Sequence, residues 1–211
     1  MGVIRWEGLT KTLVAIVGSP TLGFIGGVAL IAAVYRAFYR QPRGRMMPVF
    51  THLQRASAAY MAFSHGRNDA QKPMGVLALA LALHYGWTEL TVPIWIVVSC
   101  ASVAAVGTAY GGWRIIRTLG LRVTALDPVQ GFAAEVSGAS VIQAASEFGI
   151  PISTTHAITS SILGVGATRR LSAVRWGITF EIFLSWLLTV PVTIGLGALF
   201  MTILARLVAM L

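Results

Sequence analysis

The chain has 211 residues, of which 56% are hydrophobic and 11% charged, and its mean hydropathy is +0.76. Soluble domains carry about 25% charged residues, so the composition excludes an ordinary soluble domain and points to an integral membrane protein. The formal charge of +9 does not suit nucleic acid, because it is split into clusters between apolar runs (Arg36, Arg40, Arg43, Arg45, Arg55; Arg114, Arg117, Arg122; Arg169, Arg170, Arg175), the pattern of cytoplasmic loops.

The first apolar run, 12–35, follows Arg5 and Lys11. It is too long for a signal-peptide core and is expected to be a retained span. Gly23 and Gly27 have the small-xxx-small spacing that permits close helix packing. The link 39–48, with Pro42, Gly44 and Pro48, reads as a flexible joint. It separates a first span with its basic loop, 1–48, from the remainder, 49–211. Further spans are expected at 74–84 with its preceding segment, and at 93–113, 128–148, 152–168 and 176–205. The lone Cys100 lies inside a span, so no internal disulfide can form.

With the basic clusters on the cytoplasmic side, 12–35 crosses inward and 49–84 outward. The link 85–92 carries Glu89 and no Lys or Arg, as an outer loop should. Segment 93–113 returns inward. Segments 128–148 and 152–168 supply two passes or one re-entrant hairpin, and 176–205 crosses outward, with a bend expected at Pro191.

Two segments do not fit simple spans. In 64-SHGRNDAQKPMGVLALALAL-83 a polar knot abuts an apolar run. Gly66 and Pro73 bracket Asn68 and Asp69. Gly breaks a helix cheaply, Asn and Asp cap a new one, and Pro suits a first turn. A helix from about Asp69 to Leu83 would be ~23 Å long at 1.5 Å per residue, short of a ~30 Å hydrocarbon core. It is therefore expected to start within the membrane, with Tyr85 and Trp87 at the outer interface. In 149-GIPISTTHAITSSILGVGATRR-170, Ser153 is a good N-cap after Pro151. The helix from Ser153 to Thr168 is again ~23 Å and is also expected to start inside the membrane, its N-terminus facing that of the first.

Helix N-termini offer unpaired N–H groups and a positive dipole end to anions, and discontinuous helices aimed at the midplane are usual in secondary-transporter sites. Asn68 and the hydroxyls of Ser153, Thr154 and Thr155 add neutral hydrogen bonds. Asp69 alone would repel an anion but suits a coupling cation or proton. Glu135 is a second intramembrane acid and a functional candidate by default. Ser and Thr also pack between membrane helices without any substrate, His156 is more often a packed, hydrogen-bonded histidine than a ligand, and Arg67 and Lys72 can snorkel to an interface. A hydrolase using Ser153 and His156 lacks an evident oxyanion loop or separate base. The chain is not expected to be an enzyme, and no cofactor is expected.

At these residues the sequence resembles the inorganic phosphate transporter family. The segment 64-SHGRNDAQKPMG-75 is similar to its Gly-x-Asn-Asp signature. The segments 124-TALDPVQGFAAE-135 and 149-GIPISTTHAITSSILGVGATRRLSAVRWG-177 look like the second half of that signature. The likeness runs from about Phe63 to Gly177, with site segments at 63–84 and 124–168. It implies cation-coupled phosphate transport driven by sodium or protons. It implies that Asn68, Gln71, Ser153, Thr154 and Thr155 bind substrate, and that Asp69 and Glu135 serve the coupling cation, with sodium as the candidate metal. Arg67, Lys72 and His156 are further candidates. Arg67 stands where the family has a small residue, and would add a bidentate phosphate contact or obstruct the site.

Family members carry two homologous halves in inverted orientation, and this chain resembles the C-terminal one. The expected fold is therefore an all-α integral membrane protein of about six helices or half-helices, two of them broken or starting within the membrane, forming half of an inverted-repeat transporter. Its expected setting is the cell (inner) membrane, multi-pass, with a complementary half or oligomer as partner. The alternative is a non-transporting subunit or inactive remnant.

Overall fold

The structure, a computed structural model, describes residues 6–209, with all their side chains except those of residues 114–116, 119, 121, 122, 173, 208 and 209. Arg5 and the side chains of Arg114 and Arg122 thus lie outside the described residues. The described residues contain six α-helices and no strand: α1 (Trp6–Ala37), α2 (Arg43–Tyr85), α3 (Ile94–Arg117), α4 (Pro128–Glu147), α5 (Thr154–Arg169) and α6 (Trp176–Ala209). A wide π turn, Thr118–Val123, extends α3, and a short 3-10 turn, Leu171–Ala173, follows α5. The chain divides into two units, one up to Val174 and one from Arg175 onward.

Among the described residues, three helices are long and apolar enough to cross a membrane: Trp6–Ala37, Ile94–Trp113 and Trp176–Leu207. Helix α1 shows how such a helix packs. Its buried positions include Ala15, Ser19, Gly23 and Gly27 at four-residue spacing, while Leu13, Val17, Leu22 and Ile25 face outward. Small residues inside and large apolar ones outside is the arrangement of a helix whose exterior meets lipid. A Cβ on Gly23 would fall 2.5 Å from the Ala157 carbonyl oxygen, and one on Gly27 2.5 Å from that of Ser161. The glycines let α1 and α5 touch backbone to backbone, as the spacing predicts. From the other side, Gly164 meets the backbone of Phe24.

Helix α5 is buried almost continuously from Thr159 to Gly166, so it is enclosed rather than amphipathic. It forms an antiparallel hairpin with α4, closed by Gly149 at φ +62° and by the Ile150 amide donating to the Ala145 carbonyl. Asp127 opens α4 with a capping box: its carboxylate accepts from the Gln130 amide, and the Gln130 side chain accepts from the Asp127 amide. Pro128 sits in the first turn, where its missing N–H costs nothing.

Helices α2 and α4 run parallel, with Ser57 bonding Glu135 and Asn68 bonding Ser146 at one register and Arg43 reaching Asp127 at the start of the pair. Phe50 is buried between Phe38 and Phe132 near the start of this pair. Ala78, Ile96 and Cys100 join α2 to α3. Gly86, at φ +66°, ends α2 beside the rings of His84, Tyr85 and Trp87, the aromatic group the sequence assigns to an interface.

One expectation fails. The polar knot does not break its helix: α2 is continuous over 43 residues and carries both Pro48 and Pro73 internally. Asn68 and Asp69 do not cap a new helix because their side chains are engaged by α4, α5 and Lys72. Lateral contacts along α4 outweigh the ~1 kcal/mol cost of Gly66 and the ~3 kcal/mol cost of Pro73 within a helix. Pro73 still has no N–H to offer the Asp69 carbonyl. The second expected start is present, with Ser153 as N-cap of α5, its hydroxyl accepting from the His156 amide at 3.3 Å.

The second unit holds α6, 34 residues and continuous through Pro191. Ser185, Thr189 and Thr193 return their hydroxyl protons to carbonyls one turn earlier, which satisfies these polar groups without a partner helix.

Candidate substrate and cation site

Three elements meet at the polar knot: the middle of α2, the C-terminal turn of α4 and the N-terminus of α5. The Thr154 hydroxyl donates to Asp69 Oδ2 at 3.1 Å, across 85 residues of sequence. The same carboxylate oxygen lies 3.4 Å from His65 Nε2, one helical turn back on α2. The other, Oδ1, accepts from Lys72 Nζ at 2.9 Å. Lys72 also donates to Asn68 Oδ1 at 3.0 Å and to the Ile152 carbonyl at 3.4 Å. The Asn68 amide donates in turn to the Ser146 hydroxyl at 3.0 Å.

The helical period sets this cluster. His65, Asn68, Asp69 and Lys72 follow i, i+3, i+4, i+7 spacing and share one face of α2. Asn68 is buried, while the Asp69 and Lys72 side chains are 40% and 51% exposed. The face is thus an accessible polar lining rather than a sealed ion pair. The positive end of α5 points at the Asp69 carboxylate, which offsets part of the cost of placing that charge among apolar helices.

The other candidates fall at different distances from this centre. Ser153 caps α5, while Thr155 and Gln71 are exposed and outside the hydrogen bonds described above. The His156 ring is half-buried and lies against the Ile16 backbone of α1. Arg67 donates to Glu147 at 2.8 Å, and Gln143 also donates to that carboxylate, at 2.9 Å. Arg67 is therefore held at the end of α4.

Glu135 is separate from Asp69. Its carboxylate accepts from the Ser57 hydroxyl, and the Gln54 side chain lies alongside, over Gly131. Eleven residues along either helix of the parallel pair, about 17 Å at 1.5 Å per residue, separate this contact from the Asn68–Ser146 contact. One ion cannot bridge the two acids. A cleft of about 300 Å3, lined by Tyr35, Tyr39, Arg43, Asp127 and Arg169 among others, lies at the start of the α2–α4 pair, away from both.

Sequence reasoning did not assign His65, Ser146, Ser57, Gln54 or the Ile152 carbonyl. The i, i+4 relation of His65 to Asp69 was readable in the sequence, but only with α2 taken as unbroken. The α4 partners depend on the parallel register, which no local signal announces.

Comparison with known proteins bears on this arrangement. The sequence model of the phosphate transporter family matches residues 39–197, most of the chain and all of the site. The chain belongs to the phosphate transporter family. It is 46% identical over 197 residues to a probable low-affinity inorganic phosphate transporter of Rhizobium meliloti (strain 1021), covering 93% of this chain and 59% of that protein. Identity to a probable low-affinity inorganic phosphate transporter of Bacillus subtilis (strain 168) is 36% over 199 residues, with the same shares covered. The chain thus spans less than two thirds of the length of these relatives. Among solved structures, a sodium-dependent phosphate transporter superposes with a TM-score of 0.77 at 22% identity, over 89% of this chain and 64% of that one. This likeness establishes the fold, which is all-α among the described residues.

Proposed function

We propose that the chain contributes one side of an inorganic phosphate path and moves phosphate with a cation, sodium or proton, across a cell membrane. The observation that carries this reading is the Thr154–Asp69 contact. It joins the two signature segments into one polar surface at a helix N-terminus, where N–H groups and the dipole favour an oxyanion. Family membership narrows that oxyanion to phosphate.

On this reading Asp69 lies near the bilayer midplane. Along α2 it is about 21 Å from Arg55 and about 24 Å from Tyr85, at 1.5 Å per residue. The α4–α5 hairpin then enters from the basic side and turns back at residues 148–153, so that α5 starts at the depth of Asp69. Ser153, Thr154, Thr155 and the first amides of α5, with Asn68 and Gln71, receive phosphate. Asp69 is the coupling acid at this centre and Glu135 a second one, nearer the basic end. The complementary side of the path comes from another homologous half, in inverted orientation.

The test is radiolabelled phosphate uptake into proteoliposomes under sodium or proton gradients, with this chain alone and with a complementary half. Gradient-dependent uptake in either preparation supports the reading. Absence of uptake in both, from folded protein, favours a non-transporting subunit or remnant.

A further inference from the structure

The contacts of Lys72 bear on which cation the site exchanges, an inference that rests on the reading of Asp69 as the coupling acid. Three oxygens of different chemical kinds converge on Nζ: the Asp69 carboxylate at 2.9 Å, the Asn68 amide oxygen at 3.0 Å and the Ile152 main-chain carbonyl at 3.4 Å. A lysine ammonium has three N–H donors and no acceptor, so each oxygen can take one proton. Ile152 lies in the non-helical link before α5, so no helix claims its carbonyl. Carboxylate, amide and main-chain carbonyl oxygens drawn from two elements make the donor set of a hard cation. Carbonyls at breaks in membrane helices are also what transporters offer to sodium.

We infer that Lys72 is a tethered cation: its ammonium occupies an oxygen cage that would otherwise hold a monovalent metal ion, and so excludes sodium from Asp69. The second carboxylate oxygen gives sodium no alternative, since Thr154 and His65 already face it. A sodium ion entering beside the ammonium would meet a like charge within a few ångströms. Among the described residues, the charged partners of the cage come from α2, as Asp69, Lys72 and His65; Arg67 is paired with Glu147. Sodium is then not the cation that Asp69 exchanges.

The experiment compares thermal unfolding of the purified full chain in sodium chloride and in choline chloride at equal ionic strength. Wild type is expected to unfold at the same temperature in both salts. Lys72→Met keeps the stem and removes the charge. It is expected to gain a saturable, sodium-specific rise of about 2–4 °C, and adding Asp69→Asn should remove that rise. Lys72→Gln serves as a second variant with the same expectation. A sodium-specific rise in wild type overturns the inference, as does the lack of one in both folded variants. Uptake assays test the proposed function; the unfolding comparison reads Lys72 whether or not uptake is observed.

Discussion

Two carboxylates sit on the same helix bundle and are held in opposite ways. Asp69 has charged or chargeable partners, Lys72 and His65, and a hydroxyl from the mouth of α5. Among the described residues, the partners of Glu135 are the neutral Ser57 and Gln54. A carboxylate with a built-in counter-cation needs no further ion beside it, whereas one held by neutral groups gains from any cation that reaches it. The same chain thus offers one acid whose charge is internally balanced and one whose charge is not, about three turns apart.

The largest expected effect comes from breaking the balanced acid. Asp69→Asn keeps the side-chain shape and an acceptor for Thr154 but leaves Lys72 without its counter-charge. Coupled phosphate uptake is expected to fall to background while the protein still folds, as thermal unfolding in detergent would show. Gly27→Leu should strike both acids alike, because it forces α5 off α1 and moves the hairpin that carries Thr154 and Glu135. Overpacking costs typically about 1–3 kcal/mol, occasionally more, so a lowered unfolding temperature and lost uptake are expected together.

Glu135→Gln separates the two acids. An amide oxygen still accepts from Ser57, so the stability loss should be about 1 kcal/mol, the difference between a charged and a neutral hydrogen bond. Net gradient-driven uptake is expected to be lost while phosphate–phosphate exchange persists; full coupled uptake would remove Glu135 from the coupling role. Arg67→Ala should do least. Its pair with Glu147 is partly exposed, and such pairs are worth ~0.2–1 kcal/mol. Uptake is expected to be unchanged, whereas weakened phosphate affinity would restore Arg67 as an anion ligand.

The legible parts of the sequence were those where one local signal decides. The long apolar runs mark α1, α3 and α6. Ser153 after Pro151 marks the start of α5, and the spacing of Gly23 and Gly27 marks the α1–α5 contact. At Gly66–Pro73 local signals gave the wrong answer. Gly, Asn, Asp and Pro each favour a break when taken singly, but α4 and α5 supply partners for Arg67, Asn68 and Asp69 and keep α2 whole. The knot's polar face still meets a helix N-terminus, but that N-terminus belongs to α5 and not to a new helix of its own. The resemblance to the family assigned Glu135 and Asp69 to the coupling cation, and the parallel register of α2 and α4 holds them about three turns apart. That register is a tertiary property, built from contacts such as Ser57–Glu135 that lie 78 residues apart.

The central claim is that Asp69, facing the start of α5, works in the transport of phosphate. Radiolabelled phosphate uptake by wild type and Asp69→Asn, each reconstituted with a complementary half, tests it most directly. Gradient-dependent uptake by wild type and none by a folded Asp69→Asn is the predicted result. Wild-type uptake rates in the variant would contradict the account.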